Sequence, residues 1–185
     1  MKKRMAVLAL VLVLVAVYIW RYTAINSQYP PPQEEVYSIG DVVSYKDFEI
    51  VVTGTKVIDA ETISKMRTEI YKDFTWVGEE KNIIVEMKVT NRGKEEQNFD
   101  ASYFELESFG WRNGSDCDYL TYTDDIGPKA HLKPGETKTV KVGFLANVQQ
   151  FKTRADWDAI QPQDFYIRIY SYPVKKIIEL KEHTG

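Results

Sequence analysis

The sequence predicts an all-β body, two antiparallel sheets packed face to face, carried behind a single N-terminal membrane helix. Three observations lead there. A basic start is followed by an uncharged apolar run over residues 5–20. From residue 36 onward, short segments alternate apolar and polar side chains with the period of two expected of half-buried strands. Turns built from Gly, Pro and Asn separate those segments at close intervals.

The N-terminal run decides where the body lives. Lys2, Lys3 and Arg4 precede sixteen uncharged residues, Met5 to Trp20. At helical rise these span roughly 24 Å, short of a hydrocarbon core of about 30 Å. Arg21 can snorkel to the headgroups and let the helix continue through Tyr22, Thr23, Ala24 and Ile25. Tyr18, Trp20 and Tyr22 then fall at the far interface, where amphipathic rings are favoured. A cleaved signal peptide needs small residues before the cut, and Val17-Tyr18-Ile19-Trp20 is bulky throughout. A lipoprotein anchor needs a cysteine just after the run, whereas Cys117 is the sole cysteine. An uncleaved anchor is therefore expected over cleavage. The excess of basic residues before the helix leaves the N-terminus cytoplasmic and the rest outside.

The expected organisation is a cytoplasmic tip (1–4), a transmembrane signal-anchor (5–25), a Pro-rich linker (26–35), a β-sandwich (36–181) and a short tail (182–185). In the linker, Pro30, Pro31 and Pro32 favour an extended polyproline spacer. Four of the 24 basic residues lie before position 24 and none of the 27 acidic ones does, so the outer part carries 20 against 27, a net of −7. That balance excludes nucleic acid as a partner and disfavours an electrostatic grip on anionic lipids or wall polymers. One cysteine forms no internal bridge, so Cys117 is expected as an inert thiol unless it pairs between chains.

Each strand has its own signal. "FEIVVTGTKVI" puts Phe48, Ile50 and Val52 on one face, and Gly54 permits a bulge or bend before Val57. In "KNIIVEMKVTN", Ile83, Val85, Met87 and Val89 alternate with Ile84, Glu86, Lys88 and Thr90. "NRGKEE" follows as a turn, with Gly93 able to take a positive φ. "SYFELESF" points Phe104 and Leu106 inward. "LKPGETKTVKVGFLA" reads as a tight Pro-Gly turn and a strand with Val140, Val142 and Phe144 on one side. "DFYIRIYSYP" sets Phe165, Ile167 and Ile169 against Tyr166, Arg168 and Tyr170, and "KKIIEL" closes the series after Pro173. The total is seven or eight strands.

Two segments carry a helical period instead. Ile63, Met66, Ile70 and Phe74 recur at spacings of three and four behind Asp59, a plausible N-cap. "TRADWDAI" pairs Thr153 with Asp156 in a capping-box pattern, buries Trp157 and Ile160, and stops before Pro162.

The order "IGDVVSYKDFEIVV", "IIVEMKVTNRGKEEQNFD", "LKPGETKTVKVGF" and "DWDAIQPQDFYIRIYSYPVKKIIEL" resembles a group of uncharacterised membrane- or lipid-anchored proteins of Gram-positive bacteria. The resemblance covers about residues 36–181 and implies an immunoglobulin-like antiparallel β-sandwich of unknown function, with one or two short helical insertions here. It implies no activity and no binding residues. The chain differs from lipid-anchored members in lacking the cysteine after the apolar run, which leaves anchoring by the helix.

Catalytic constellations are not expected. His131 lies beside a turn and His183 in the tail, and neither belongs to a zinc, nucleophile-elbow or phosphate-loop motif. No cofactor and no metal follow from the residues. The candidate binding surface is the loop "GWRNGSDCDYLTYTDD". It gathers Asp116, Asp118, Asp124 and Asp125, whose oxygens suit Ca²⁺ but lack the calcium-loop order. It also carries Trp111, Tyr119 and Tyr122, which could stack on sugar rings, anchor a protein, or fill the sandwich's edge. Asn113-Gly114-Ser115 matches a glycosylation acceptor. The expected function is non-catalytic protein–protein contact at a bacterial envelope. A carbohydrate- or wall-binding module using Trp111, Tyr119 and Tyr122 is the alternative.

Overall fold

A computed structural model of the chain describes residues 2–30, 32–66, 79–108, 110–116, 126–170 and 172–181. The chain divides into two compact units, residues 1–33 and 34–185.

The first unit is one helix, α1 (Lys2–Gln28), of 27 residues. At about 1.5 Å per residue it is about 40 Å long, more than a hydrocarbon core of about 30 Å needs. Its apolar stretch has a mean hydropathy of 2.2 and none of it is buried against protein. The helix runs three residues beyond the expected end at 25, and its polar side chains there bond back to their own turn. The Thr23 hydroxyl donates to the Ile19 carbonyl at 3.0 Å, the Asn26 amide to Tyr22 at 2.9 Å and the Ser27 hydroxyl to Ala24 at 2.9 Å. Little of the expected 26–35 linker is left, since the first strand begins at Gln33.

The second unit is a β-sandwich of two main sheets. One has five strands: β1 (Gln33–Ser38), β6 (Glu105–Ser108), β7 (Trp111–Asn113), β10 (Tyr166–Tyr170) and β11 (Val174–Glu179), in the order β1-β11-β10-β6-β7. The other has four: β2 (Val43–Tyr45), β3 (Phe48–Asp59), β4 (Glu80–Asn91) and β9 (Thr137–Asn147), in the order β2-β3-β4-β9. A two-stranded ribbon joins β5 (Gln97–Asp100) to β8 (Lys129–Leu132). Among the described residues, eleven strands stand where seven or eight are expected. The extra ones, such as β2 and β7 with three residues each, are too short to show alternation.

The anticipated inward rows form the core. Phe48, Ile50 and Val52 of β3, Ile83, Val85, Met87 and Val89 of β4, Val140, Val142 and Phe144 of β9, and Phe165, Ile167 and Ile169 around β10 are all buried. Edge-on aromatic contacts tie the layers together, with Phe48 and Phe99 centroids 5.3 Å apart and Tyr45 and Phe104 5.4 Å apart.

A bulge in β3 sets the register of the long sheet. Val52 faces Met87 and Gly54 faces Glu86, so Thr53 is the extra residue. Side chains alternate along a strand, so this insertion switches parity. Before it the even-numbered residues of β3 face the main core. After it Val57 packs against that core and Ile58 turns outward. Ile58 joins Ile84 and Ile63 in a second, smaller cluster, with Met66 against it. This explains why Ile84, on the polar face of an alternating strand, is only 2% exposed.

Ile63 comes from α2 (Ala60–Lys65), which Asp59 caps by accepting from the Thr62 amide at 2.7 Å. Ile70 and Phe74 of the expected helical face lie outside the described residues. The second helix, α3 (Arg154–Asp158), carries the expected capping box. The Asp156 amide donates to the Thr153 hydroxyl, and the Thr153 amide to the Asp156 carboxylate. Trp157 is buried beneath it.

Two turns show different uses of glycine. At Pro134-Gly135, Gly135 takes φ +76° and the Glu136 amide closes on the Lys133 carbonyl at 3.0 Å. Gly93 does not use its freedom to take a positive φ. A Cβ there would meet the movable end of the Gln97 side chain and crowd Asn91. Asn91 organises this turn, donating to the carbonyls of Glu95 at 2.8 Å and Leu132 at 3.0 Å and accepting from the Gly93 amide at 2.8 Å.

The bulge gives a sharp test. Thr53→Ala, at an exposed position, changes stability by no more than about 0.5 kcal/mol. Inserting an alanine between Thr55 and Lys56, downstream of the bulge, turns Val57 out and Ile58 in, and costs several-fold more. Urea unfolding followed by tryptophan fluorescence distinguishes the two; similar midpoints for both variants would remove the parity argument.

Candidate functional site

The loop singled out by sequence starts from the β6–β7 hairpin, turned by Gly110 at φ +94°. Beyond β7 the chain crosses from one main sheet to the edge of the other. The Asn113 side-chain amide donates to the Leu145 carbonyl, Ser115 bridges Phe144, and the Asp116 amide donates to the Gly143 carbonyl at 2.7 Å. The Ser115 hydroxyl reaches the Ser102 carbonyl at 3.0 Å. These bonds cover the outer edge of β9.

The candidate residues separate in this arrangement. Trp111 is half-buried, its ring edge-on to Phe151 at 6.0 Å and to Phe165 at 5.7 Å. Phe151 continues to Trp157 at 5.3 Å, so Trp111 belongs to an aromatic chain at one end of the core. Asp116 is 7% exposed and sits under β9 rather than in an open acidic loop. Tyr119, Tyr122, Asp118, Asp124, Asp125 and Cys117 lie outside the described residues, as does His183. Among the described residues, no group of three or more His, Cys, Asp or Glu side chains is placed to hold a metal ion. The Asn113 carbonyl oxygen accepts from the Gln150 amide at 3.1 Å. With its NH₂ on Leu145, the Asn113 amide is engaged at both ends, unlike the free side chain that a glycan acceptor presents. His131 is exposed, with Nδ1 2.9 Å from Asn98 and Nε2 3.1 Å from Glu96.

A feature not anticipated from the sequence lies on the outer face of the five-stranded sheet. Arg168 on β10 reaches both Glu105 and Glu107 on β6, with Nη1 2.9 Å from the Glu107 carboxylate. Lys175 on β11 approaches Glu107 at 3.5 Å and Glu34 on β1 at 3.4 Å. The network thus crosses four strands. Arg168 and Glu107 side chains are only 11% and 10% exposed, unusual for charges on a solvent-side face. Burial pulls the Arg168 guanidinium below its ordinary pKa, and burial followed by the Glu107 charge pushes the Tyr166 phenol up. The signal was present as Glu105 and Glu107 at i and i+2 on one strand and Arg168 on another. The pairing of β6 with β10 needed the register to become visible.

Among the described residues, two open depressions lie beside β3. One, of about 210 Å³, lies over the bulge and is lined by Gly54, Thr55, Lys56, Ile84, Glu86 and Lys141. The other, of about 420 Å³, runs between β3 and the segment after α3. Lys81 lines it while donating to the Trp157 carbonyl at 2.7 Å and standing 4.6 Å over that indole.

The fold defines the protein as a two-sheet β-sandwich behind an N-terminal apolar helix of the kind that serves as signal or anchor. The chain belongs to the family described as "Domain of unknown function (DUF5028)", whose profile matches residues 33–176. No curated protein matches it. Solved structures similar to it include the yjhA protein of Bacillus subtilis, at 10% identity and TM-score 0.49, covering 78% of this chain and 99% of that one. An uncharacterised β-sandwich protein of Clostridium difficile 630 is similar at 14% identity and TM-score 0.48, covering 81% and 96%. The secreted protein MPT63 of Mycobacterium tuberculosis is similar at 14% identity and TM-score 0.45, covering 79% and 97%.

Two measurements check the electrostatics. Arg168→Ala is expected to cost roughly 3 kcal/mol by leaving the buried Glu107 to Lys175, 3.5 Å away, and Arg168→Met with Glu107→Leu to recover most of it. Equal loss in both variants would contradict a buried pair. At Asp100, burial by itself would push the carboxyl up. The Ser102 hydrogen bonds and Lys129 at 3.2 Å outweigh that and hold it below the ordinary value. Its folded pKa being the lower one, Asp100 contributes stability above its unfolded pKa of about 3.9, and loses it as pH falls through the folded value. Asp100→Asn therefore lowers the urea midpoint at neutral pH and flattens its decline in acid.

Proposed function

We propose that this chain is a single-pass membrane protein whose sandwich stands outside the cytoplasm and works, without catalysis, by contacting another protein of the bacterial envelope. The observation that carries this reading is α1: longer than a bilayer core is thick and apolar along its length. Lys2, Lys3 and Arg4 at its start favour a cytoplasmic N-terminus. The body's outer faces carry exposed charged side chains such as Arg92 and Glu49, which suit partner choice by charge complementarity. The carbohydrate-binding alternative draws less support, because Trp111 spends its ring on Phe151 and Phe165.

Protease added to intact cells should remove the sandwich and leave a membrane-bound fragment containing α1. Protection of the body until lysis would defeat the topology. Photo-crosslinkers placed on the body should then trap one recurrent envelope protein; an unmodified band from every position would defeat the contact role.

A further inference from the structure

The point at which the chain joins the sandwich sits in an exposed aromatic corner. Glu34 and Glu35 of β1 pair with Lys175 and Lys176 at the start of β11, each at 3.4 Å. The Lys176 ammonium also donates to the Ser44 carbonyl at 3.0 Å, next to Tyr45 on the β2–β3 hairpin. Tyr45 lies edge-on to Tyr170 at 5.9 Å, and Lys46 covers the Tyr45 ring at 5.0 Å. Tyr170 is 38% exposed and Tyr172, in the turn that follows, 75%. Exposed tyrosines beside a lysine are the chemistry of a membrane–water interface, where the ring sits among headgroups and the hydroxyl stays hydrated.

Tether length selects which end of the body can use that chemistry. Four residues, 29–32, separate Gln28 from Gln33. Extended peptide covers about 3.3–3.6 Å per residue, so this segment reaches no more than about 18 Å. The body is longer than that: the eleven residues of β9 at about 3.4 Å each run about 37 Å from the hairpin end to the α3 end. A bilayer spanned by the anchor is therefore within reach of the hairpin end and beyond reach of the other, unless the body lies on its side.

We infer that the corner formed by Tyr45, Lys46, Tyr170 and Tyr172 rests on the headgroup layer of the membrane that carries the anchor. The inference depends on the anchored reading above. The contact rests on aromatic insertion rather than net charge, since Glu34 and Glu35 neutralise Lys175 and Lys176 at the same corner. It fixes which end faces the bilayer and leaves the opposite end, with α3 and the Trp111 chain, directed outward.

The test uses the full-length chain, with Cys117→Ser, reconstituted into phosphatidylcholine vesicles that contain headgroup-nitroxide lipid. An environment-sensitive dye is attached at Tyr172→Cys, or at Lys152→Cys near the far end. Flotation is scored first. Protein that floats with the vesicles, with the dye at 172 quenched and the dye at 152 not, is the expected result. Floating protein with neither dye quenched overturns the contact while leaving the anchor intact. Quenching at both positions overturns it in favour of a body lying flat. Protein that does not float removes the anchored reading, and this inference with it. A retained-tyrosine control, the dye at Ser44→Cys, guards against loss of the Tyr172 ring: it is quenched if the corner sits in the headgroups and unquenched otherwise.

Discussion

The sandwich depends on burying the inner face of β4 while its neighbour β3 serves two cores. Ile83, Val85, Met87 and Val89 are at most 1% exposed, and β3 must supply apolar partners along their whole length. A regular twelve-residue strand cannot do this with the residues β3 has, because Val52 and Val57 differ in parity. One inserted residue at Thr53 reconciles them. The same insertion turns Ile58 to the opposite face, where with Ile84 it creates the seat for α2. The helix that Asp59 caps is thus a consequence of the bulge as much as of its own sequence.

Where periodicity was long, the sequence was sufficient. The rows on β4, β9 and β10 and the two caps at Asp59 and Thr153 could all be read from spacing, because each depends on residues a few positions apart. Gly54 marked the bulge, although not its effect on Ile84. Gly93, able to take a positive φ, does not do so; the Gln97 side chain, from the next strand, closes on it instead. The three- and four-residue strands β2, β5, β7 and β8 escape a sequence reading because no alternation can be established over so short a span.

The site was less legible for the same reason. Trp111 and Asp116 look exposed in a string of polar and glycine residues. Their burial comes from Phe151, Phe165 and the edge of β9, all distant in sequence. Arg168 was assigned to the solvent side, correctly for its face, yet Glu105 and Glu107 enclose it there. Charge networks of this sort are fixed by which strands become neighbours, and neighbour order is the least local property of a sandwich.

The crossing from β7 to β9 has a chemical consequence for how this molecule ages. An asparagine followed by glycine is prone to lose its side-chain amide, when the next backbone nitrogen attacks the side-chain carbonyl and a cyclic imide forms. Asn113-Gly114 is such a pair, yet Leu145 and Gln150 hold both ends of the Asn113 amide away from that geometry. Folding therefore acts here as a preservative: deamidation should proceed through unfolded molecules, and the slow appearance of acidic species on storage would report how often this lacing comes undone.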